Sequence, residues 1–201
     1  MPRPARPMDP RRREALLTVA AEAFLREGYD AASMNEILRV AGVAKSSVYH
    51  YIGDKRAVFE ATLEDRLTLL RAHAALPDPQ SLASSTFWPA VAALLEALTA
   101  ASEADPRTLQ AGRLLHLADA PPVPALAAVR EMLTDWARRM LERGRSLGVV
   151  DVAMDAEVQL RLAATVAIEM DRMALADGAS AATHDLALEV LQRLLTPRPF
   201  V

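Results

Sequence analysis

The chain contains no cysteine, only two lysines, and few aromatics: four Phe, three Tyr and two Trp among 201 residues. Without cysteine there can be no disulfide framework, no thiolate metal site and no thiol nucleophile, and a reducing, cytoplasmic location is expected. With aromatics at 4% against 52% apolar residues, the interior must be built from aliphatic side chains. No apolar run approaches the roughly 18 to 20 residues needed to span a bilayer, and the opening "MPRPARPMDPRRR" lacks the apolar segment of a secretory leader, so no membrane partner is expected. The seven glycines form neither GxGxxG nor a phosphate-binding loop, and the four histidines give no HExxH. His116 and Asp119 share a helix face, but two ligands make a poor metal site. An enzyme is therefore not expected, nor a cofactor or a metal.

What is present is helical periodicity. Nearly every long segment follows it, no stretch alternates as a strand, and the fold class is all-α. Asp9 reads as an N-cap with Pro10 at the first helical position, and Gly28 as the stop. Ser33 and Glu36 form a capping box for a short second helix, and "AGV" at 41–43 breaks it at a glycine suited to positive φ. "KSSVYHY" then gives about two helical turns, ended by Gly53. A fourth helix is expected from Asp54 to about Leu76. "PDPQ" at 77–80 is a turn, and the next helix, to about Glu103, either starts at Pro89 or kinks there. Asp105 and Pro106 reopen a helix closed by "APPVP" at 120–124, and a helix of roughly twenty residues runs to about Gly144. The last two helices, 155–177 and 181–195, are joined by "GAS" at 178–180 and read as an antiparallel pair.

Both lysines, Lys45 and Lys55, fall in "AGVAKSSVYHYIGDK", residues 41–55. A helix, a tight glycine turn and a second helix is the arrangement that sets a recognition helix in the major groove of DNA. Lys45, Ser46 and Ser47 offer donors in its first turn. Tyr49, His50 and Tyr51 add hydroxyl and imidazole donors on flat apolar bodies, and Lys55 is placed to neutralise a phosphate. The charge distribution agrees: residues 1–60 carry a net +2 and residues 61–201 a net −5, with five arginines before position 14. The alternative is a solvated amphipathic face on a helical protein-interaction module without DNA-binding activity.

The run "AFLREGYDAASMNEILRVAGVAKSSVYHYIGDKRAVFEATL", residues 23–63, resembles the DNA-binding domain of the TetR family of bacterial transcriptional regulators. The resemblance implies a flexible basic arm at 1–9, a three-helix helix-turn-helix domain at 10–55, and a helical effector-binding and dimerisation domain at 56–201. It implies that Ser33 contacts a phosphate, that Asn35 faces a base, and that Lys45, Ser46, Ser47 and His50 form the recognition surface. Tyr49, Tyr51 and Lys55 resemble phosphate clamps, while Val43 and Val48 resemble core residues. The sequence departs from the family pattern at Ala44, where a capping serine is common, at Ile52, where an aromatic is usual, and at Gly53.

The implied protein is a ligand-responsive regulator, a repressor by the family's majority behaviour. It would bind a palindromic double-stranded operator as a homodimer through its last two helices, burying residues such as Leu162, Val166, Leu188 and Leu191. For the effector, a small mostly apolar molecule, candidate contacts are the polar and aromatic groups on apolar stripes: Trp88, His116, Trp136, Thr165 and Glu169. Core packing is the alternative for the two tryptophans, a helix C-cap for His116, and a surface pair with Arg172 or Arg161 for Glu169.

Overall fold

The computed structural model describes residues 8–177 and 181–197. The first seven residues of the basic arm and the "GAS" connection lie outside the described residues. Among those described the chain is all-helical: nine α-helices and one short 3-10 turn, with no strand.

Helix α1 (Pro10–Glu27) starts where expected. Pro10 lacks the N–H that a first turn cannot pair anyway, and the Asp9 carboxylate accepts from the Arg12 amide at 3.1 Å. Its Leu16, Leu17, Ala20 and Phe24 are buried, and Phe24 packs edge-on against Phe59 of α4 (Lys55–His73) with centroids 5.3 Å apart. Tyr29 completes this small aromatic cluster, each such pair contributing about 0.5–1.5 kcal/mol beyond area burial.

Helix α2 (Met34–Ala41) begins at Ser33, whose Oγ accepts from the Glu36 amide at 3.4 Å. The reciprocal half of the capping box is not formed. Glu36 turns instead to Arg39, three residues on, whose Nε donates at 2.8 Å. The charge-assisted pair wins over a neutral backbone amide. Gly42 takes the left-handed conformation, φ 64°, and its N–H reaches back to carbonyls of α2. Helix α3 (Lys45–Tyr51) follows with no side-chain cap from Ala44. Val43 and Val48, both buried, fasten α2 and α3 to the α1–α4 core.

Helix α4 ends at His73, three residues before the expected Leu76, and extended chain leads into the 3-10 turn Pro79–Ser81. Helix α5 (Phe87–Ala104) starts two residues before Pro89. The proline sits in the first turn, where its missing N–H has no helical partner to lose, so no kink is required. Helix α6 (Arg107–Leu115) stops before the expected end of its segment, α7 (Pro124–Ser146) is the longest, and α8 (Ala156–Asp177) and α9 (Ala181–Leu195) pack together.

Two apolar cores result. One joins α1–α4 to α6 and the start of α7 through Ala111, Leu114, Leu126 and Val129. The other lies among α5, α7, α8 and α9 around Phe87, Met140, Val150 and Leu195. The buried guanidinium of Arg66 on α4 ties the first together, donating to Gln110 on α6 (2.7 Å), Thr18 on α1 (3.2 Å) and Asp65 (2.6 Å).

Candidate nucleic-acid interface and ligand cavity

The short α3 presents a polar face. Lys45, Ser46, Tyr49, His50 and Tyr51 are exposed, as are Ser33 and Asn35 on the neighbouring α2 start, and Ser47 is half-buried. Tyr49 stays 49% exposed although its ring is apolar, and the Lys45 ammonium lies 5.7 Å above it. His50 and Tyr51 stack edge to face at 4.7 Å. The arrangement offers ammonium, hydroxyl and imidazole groups from one helix, with Val48 as its buried anchor. Lys55 is different. Its ammonium donates to the Asp30 carbonyl at 3.0 Å and lies 4.7 Å from the Tyr29 ring, so it braces the α1–α2 turn and keeps two N–H groups in reserve.

This head is held to the rest of the chain by three polar ties to residues 119–125, the stretch between α6 and α7 together with the first turn of α7. The Asp119 carboxylate accepts from the Asp30 amide at 2.9 Å, Arg56 donates to the Pro122 carbonyl, and Glu60 accepts from the Ala125 amide at 3.0 Å. The Asp30 and Tyr29 backbone N–H groups hold the Asp119 carboxyl below the usual carboxylate range. Gly28, φ 84°, makes the approach possible, because a Cβ there would lie 2.7 Å from Asp119 Oδ2. The sequence gives little warning of these ties, since each joins residues at least 65 positions apart.

Behind them is a cavity of about 530 Å³ walled by α4, α5, α6, α7, α8 and α9. Its lining is mostly aliphatic, including Leu67, Leu98, Met132 and Leu133. Of the residues singled out from the sequence, Trp136 lines it, its indole N–H donating to the Pro77 carbonyl at 3.0 Å. The other four are not brought to it. Trp88 packs at the edge of the second core against Phe87, and Thr165 is exposed and donates to the Arg161 carbonyl. Glu169 is exposed and lies 4.0 Å from Arg172. His116 follows the last residue of α6 and pairs through Nε2 with Asp171 at 2.6 Å. Its partner Asp171 does line the cavity, as do Ser102, Thr108 and His184, which sequence reasoning missed. Isolated Ser, Thr or His on an Ala- and Leu-rich helix carries no periodic signal that points inward.

The signature of the bacterial regulatory proteins, tetR family, matches residues 16–62, from within α1 through the first two turns of α4. The HTH-type transcriptional regulator BetI of Rhizobium meliloti is 32% identical over 133 residues, which cover 66% of this chain. The chain carries the TetR-family signature. The match spans 62% of the Rhizobium meliloti relative's length. Two solved structures share the fold of this chain over nearly all of it. A TetR family transcriptional regulator from Chloroflexus aurantiacus superposes with a TM-score of 0.69 at 20% identity, covering 95% of this chain and 96% of that one. SmeT, the repressor of the Stenotrophomonas maltophilia multidrug efflux pump SmeDEF, does so with a TM-score of 0.62 at 19% identity, covering 94% and 93%.

Proposed function

We propose that this chain is a ligand-responsive transcriptional regulator of the TetR family, a repressor that binds a palindromic operator as a homodimer and is released by a small, mostly apolar effector. The observation that carries the reading is the placement of α4. One end holds Lys55 beside the α3 donor face, and the other gives Leu67, Leu70 and Arg71 to the cavity wall.

On DNA, α3 enters the major groove with Lys45, Ser46, Ser47 and His50 toward base edges. Tyr49, Tyr51, Ser33 and the free N–H groups of Lys55 meet phosphates, with Asn35 reaching a base from the α2 start. The basic arm supplies further phosphate contacts. The dimer is supported by apolar side chains exposed on the last two helices, among them Leu162 (42%), Ile168 (47%) and Leu186 (45%). A two-fold axis there places the two α3 helices about one DNA turn, roughly 34–36 Å, apart. A ligand that fills the cavity only when α6 and α7 shift draws α4 and its head out of register with the groove. A differential affinity of about 5.5 kcal/mol would take such an equilibrium from 1:99 to 99:1, and less suffices for partial release. No helix among the described residues is long and apolar enough to cross a membrane, and the proposed site of action is the cytoplasm.

The test is binding to DNA flanking the chain's own coding region, by fluorescence anisotropy over a range of salt, for wild type, Lys45→Ala and Tyr49→Ala. Sequence-selective binding that weakens steeply with salt, and by tenfold or more in both variants, is expected. Salt-insensitive binding, or binding unchanged by both substitutions, refutes the proposed DNA face.

A further inference from the structure

The polar side-chain atoms of the cavity, Arg71 apart, are acceptors, because the donor hydrogens beside them are already committed. Ser102 Oγ donates to the Thr99 carbonyl at 2.7 Å, and Thr108 Oγ1 to the Asp105 carbonyl at 2.7 Å, leaving only lone pairs on each. Thr99 Oγ1 donates to the Leu95 carbonyl at 3.2 Å, so its bond to His184 runs from the imidazole Nδ1–H. The network thus assigns the lone pair to His184 Nε2, which has no hydrogen-bond partner among the described residues. Asp171 uses Oδ2 for His116 and keeps Oδ1. Trp136, the aromatic in the wall, has its N–H engaged by Pro77. The lining's free donor is Arg71, exposed in the last turn of α4.

We propose that this cavity takes an apolar-bodied primary ammonium, a cationic amphiphile whose N–H groups meet Asp171, His184 and the Ser102 and Thr108 oxygens. The inference rests on the reading of the cavity as the effector site. A carboxylate ligand would set its charge against Asp171 and a ring of lone pairs, with Arg71 as its cationic side-chain partner. An alcohol would satisfy one acceptor and leave the carboxylate unmatched. A quaternary ammonium would bring charge without the N–H donors that the lone pairs require. Burial pushes the His184 imidazole below its ordinary pKa despite the nearby Asp171, which keeps it neutral and accepting at pH 7. Filled with water at liquid density, about 530 Å³ holds roughly 18 molecules, so a ten-carbon chain with its head group fits with room to spare.

The experiment is calorimetric titration of the full-length protein with four probes sharing one chain: decylammonium, decyltrimethylammonium, decanol and decanoate. Decylammonium is expected to bind at least about tenfold more tightly than each of the others, which is about 1.4 kcal/mol. Asp171→Asn, which can still accept from His116, should lower decylammonium affinity about tenfold and leave decanol within about twofold. Ser102→Ala is a second, milder variant that should weaken decylammonium alone. Equal affinities for all heads, tighter binding of decanoate, or no binding of any probe overturns the proposal. Operator release is read separately by anisotropy. If decylammonium binds with the expected preference yet leaves DNA affinity unaltered, the cavity chemistry stands and ligand control of DNA binding falls.

Discussion

Replacing Gly28 with alanine combines two penalties that the structure separates. Gly28 has φ 84° and ψ 163°, a region open essentially only to glycine, where another residue costs about 1–3 kcal/mol. The new Cβ would also stand 2.7 Å from Asp119 Oδ2 and drive the carboxylate off the Asp30 amide. Hydrogen bonds to charged groups contribute about 1.5–3 kcal/mol each when sheltered, and this partly exposed tie is placed lower, at about 1–2 kcal/mol in all. Gly28→Ala should therefore destabilise the fold by about 2–5 kcal/mol and Asp119→Ala alone by about 1–2 kcal/mol. In the double variant the carboxylate is already gone, so its loss is counted once and the two effects fall short of additivity by about 1–2 kcal/mol. Urea denaturation of the four proteins measures the cycle. Strict additivity, or a Gly28→Ala change within about 0.5 kcal/mol of wild type, would refute the contact between the α1–α2 turn and the segment before α7.

Other substitutions test the packing that sets this geometry. Gly144→Ala places a methyl against Val150 and 2.9 Å from Phe87 Cζ, both buried, so overpacking of about 1–3 kcal/mol outweighs the helical gain of up to about 1 kcal/mol and the melting temperature falls. Gly112→Ala meets only the branched end of Leu175, 2.9 Å away beside the cavity, which can turn into open space, so calorimetric scans should show little change or a rise. Arg66→Ala should cost about 3–5 kcal/mol in urea denaturation by opening a buried hole and stranding Gln110 and Thr18, whereas Arg66→Met, which fills the space, should cost clearly less. His184 is held neutral by burial, so its folded pKa lies below its unfolded value near 6.5; its contribution is complete above that value and declines as pH falls toward the folded pKa. Denaturation at pH 7.5 and pH 5.5 should show stability lost at the lower pH, less so in His184→Asn.

The parts of this fold legible in the sequence are those decided by neighbours in the chain. Asp9 with Pro10, Ser33 and Gly42 mark helix ends because caps and left-handed turns need particular side chains at particular offsets. Where two local partners competed, the outcome was hidden: Glu36 could reach back to Ser33 or forward to Arg39, and the guanidinium prevailed. Pro89 was ambiguous because a proline in the first turn and one at a kink look alike without the start of the helix. The polar face of α3, proposed above to meet DNA, was legible for the same local reason, as a polar helix around one buried valine. The cavity was not. Trp136 stood out as an aromatic on an apolar stripe, but so did Trp88, and only the packing of α5 and α7 against α4 decides which one faces the hollow. Thr165 and Glu169 lie on the outer side of α8, while Asp171, on the same helix, lies on the inner.

That division bears on the proposed ligand control, which would reside where the sequence is least informative. The three ties between the α6–α7 segment and the head are made by a carboxylate, a guanidinium and a second carboxylate to backbone groups, so each depends on the position of the backbone and not on the identity of its partner. Such bonds hold over only a few tenths of an ångström of useful range and weaken steeply with angle. Helices α6 and α7 begin or end at this segment and also form cavity wall at Leu109, Gly112, Val129 and Leu133. A ligand that spreads those walls must therefore either stretch the ties or carry the α1–α2 turn and α4 along with them. Each tie costs on the order of 1 kcal/mol to break. Moving the head as one body retains all three, and the shared apolar core through Phe59, Leu63, Ala111 and Leu114 retains its packing as well. Rigid displacement is thus the less costly response, and under the proposed function it is the one that would remove α3 from the groove.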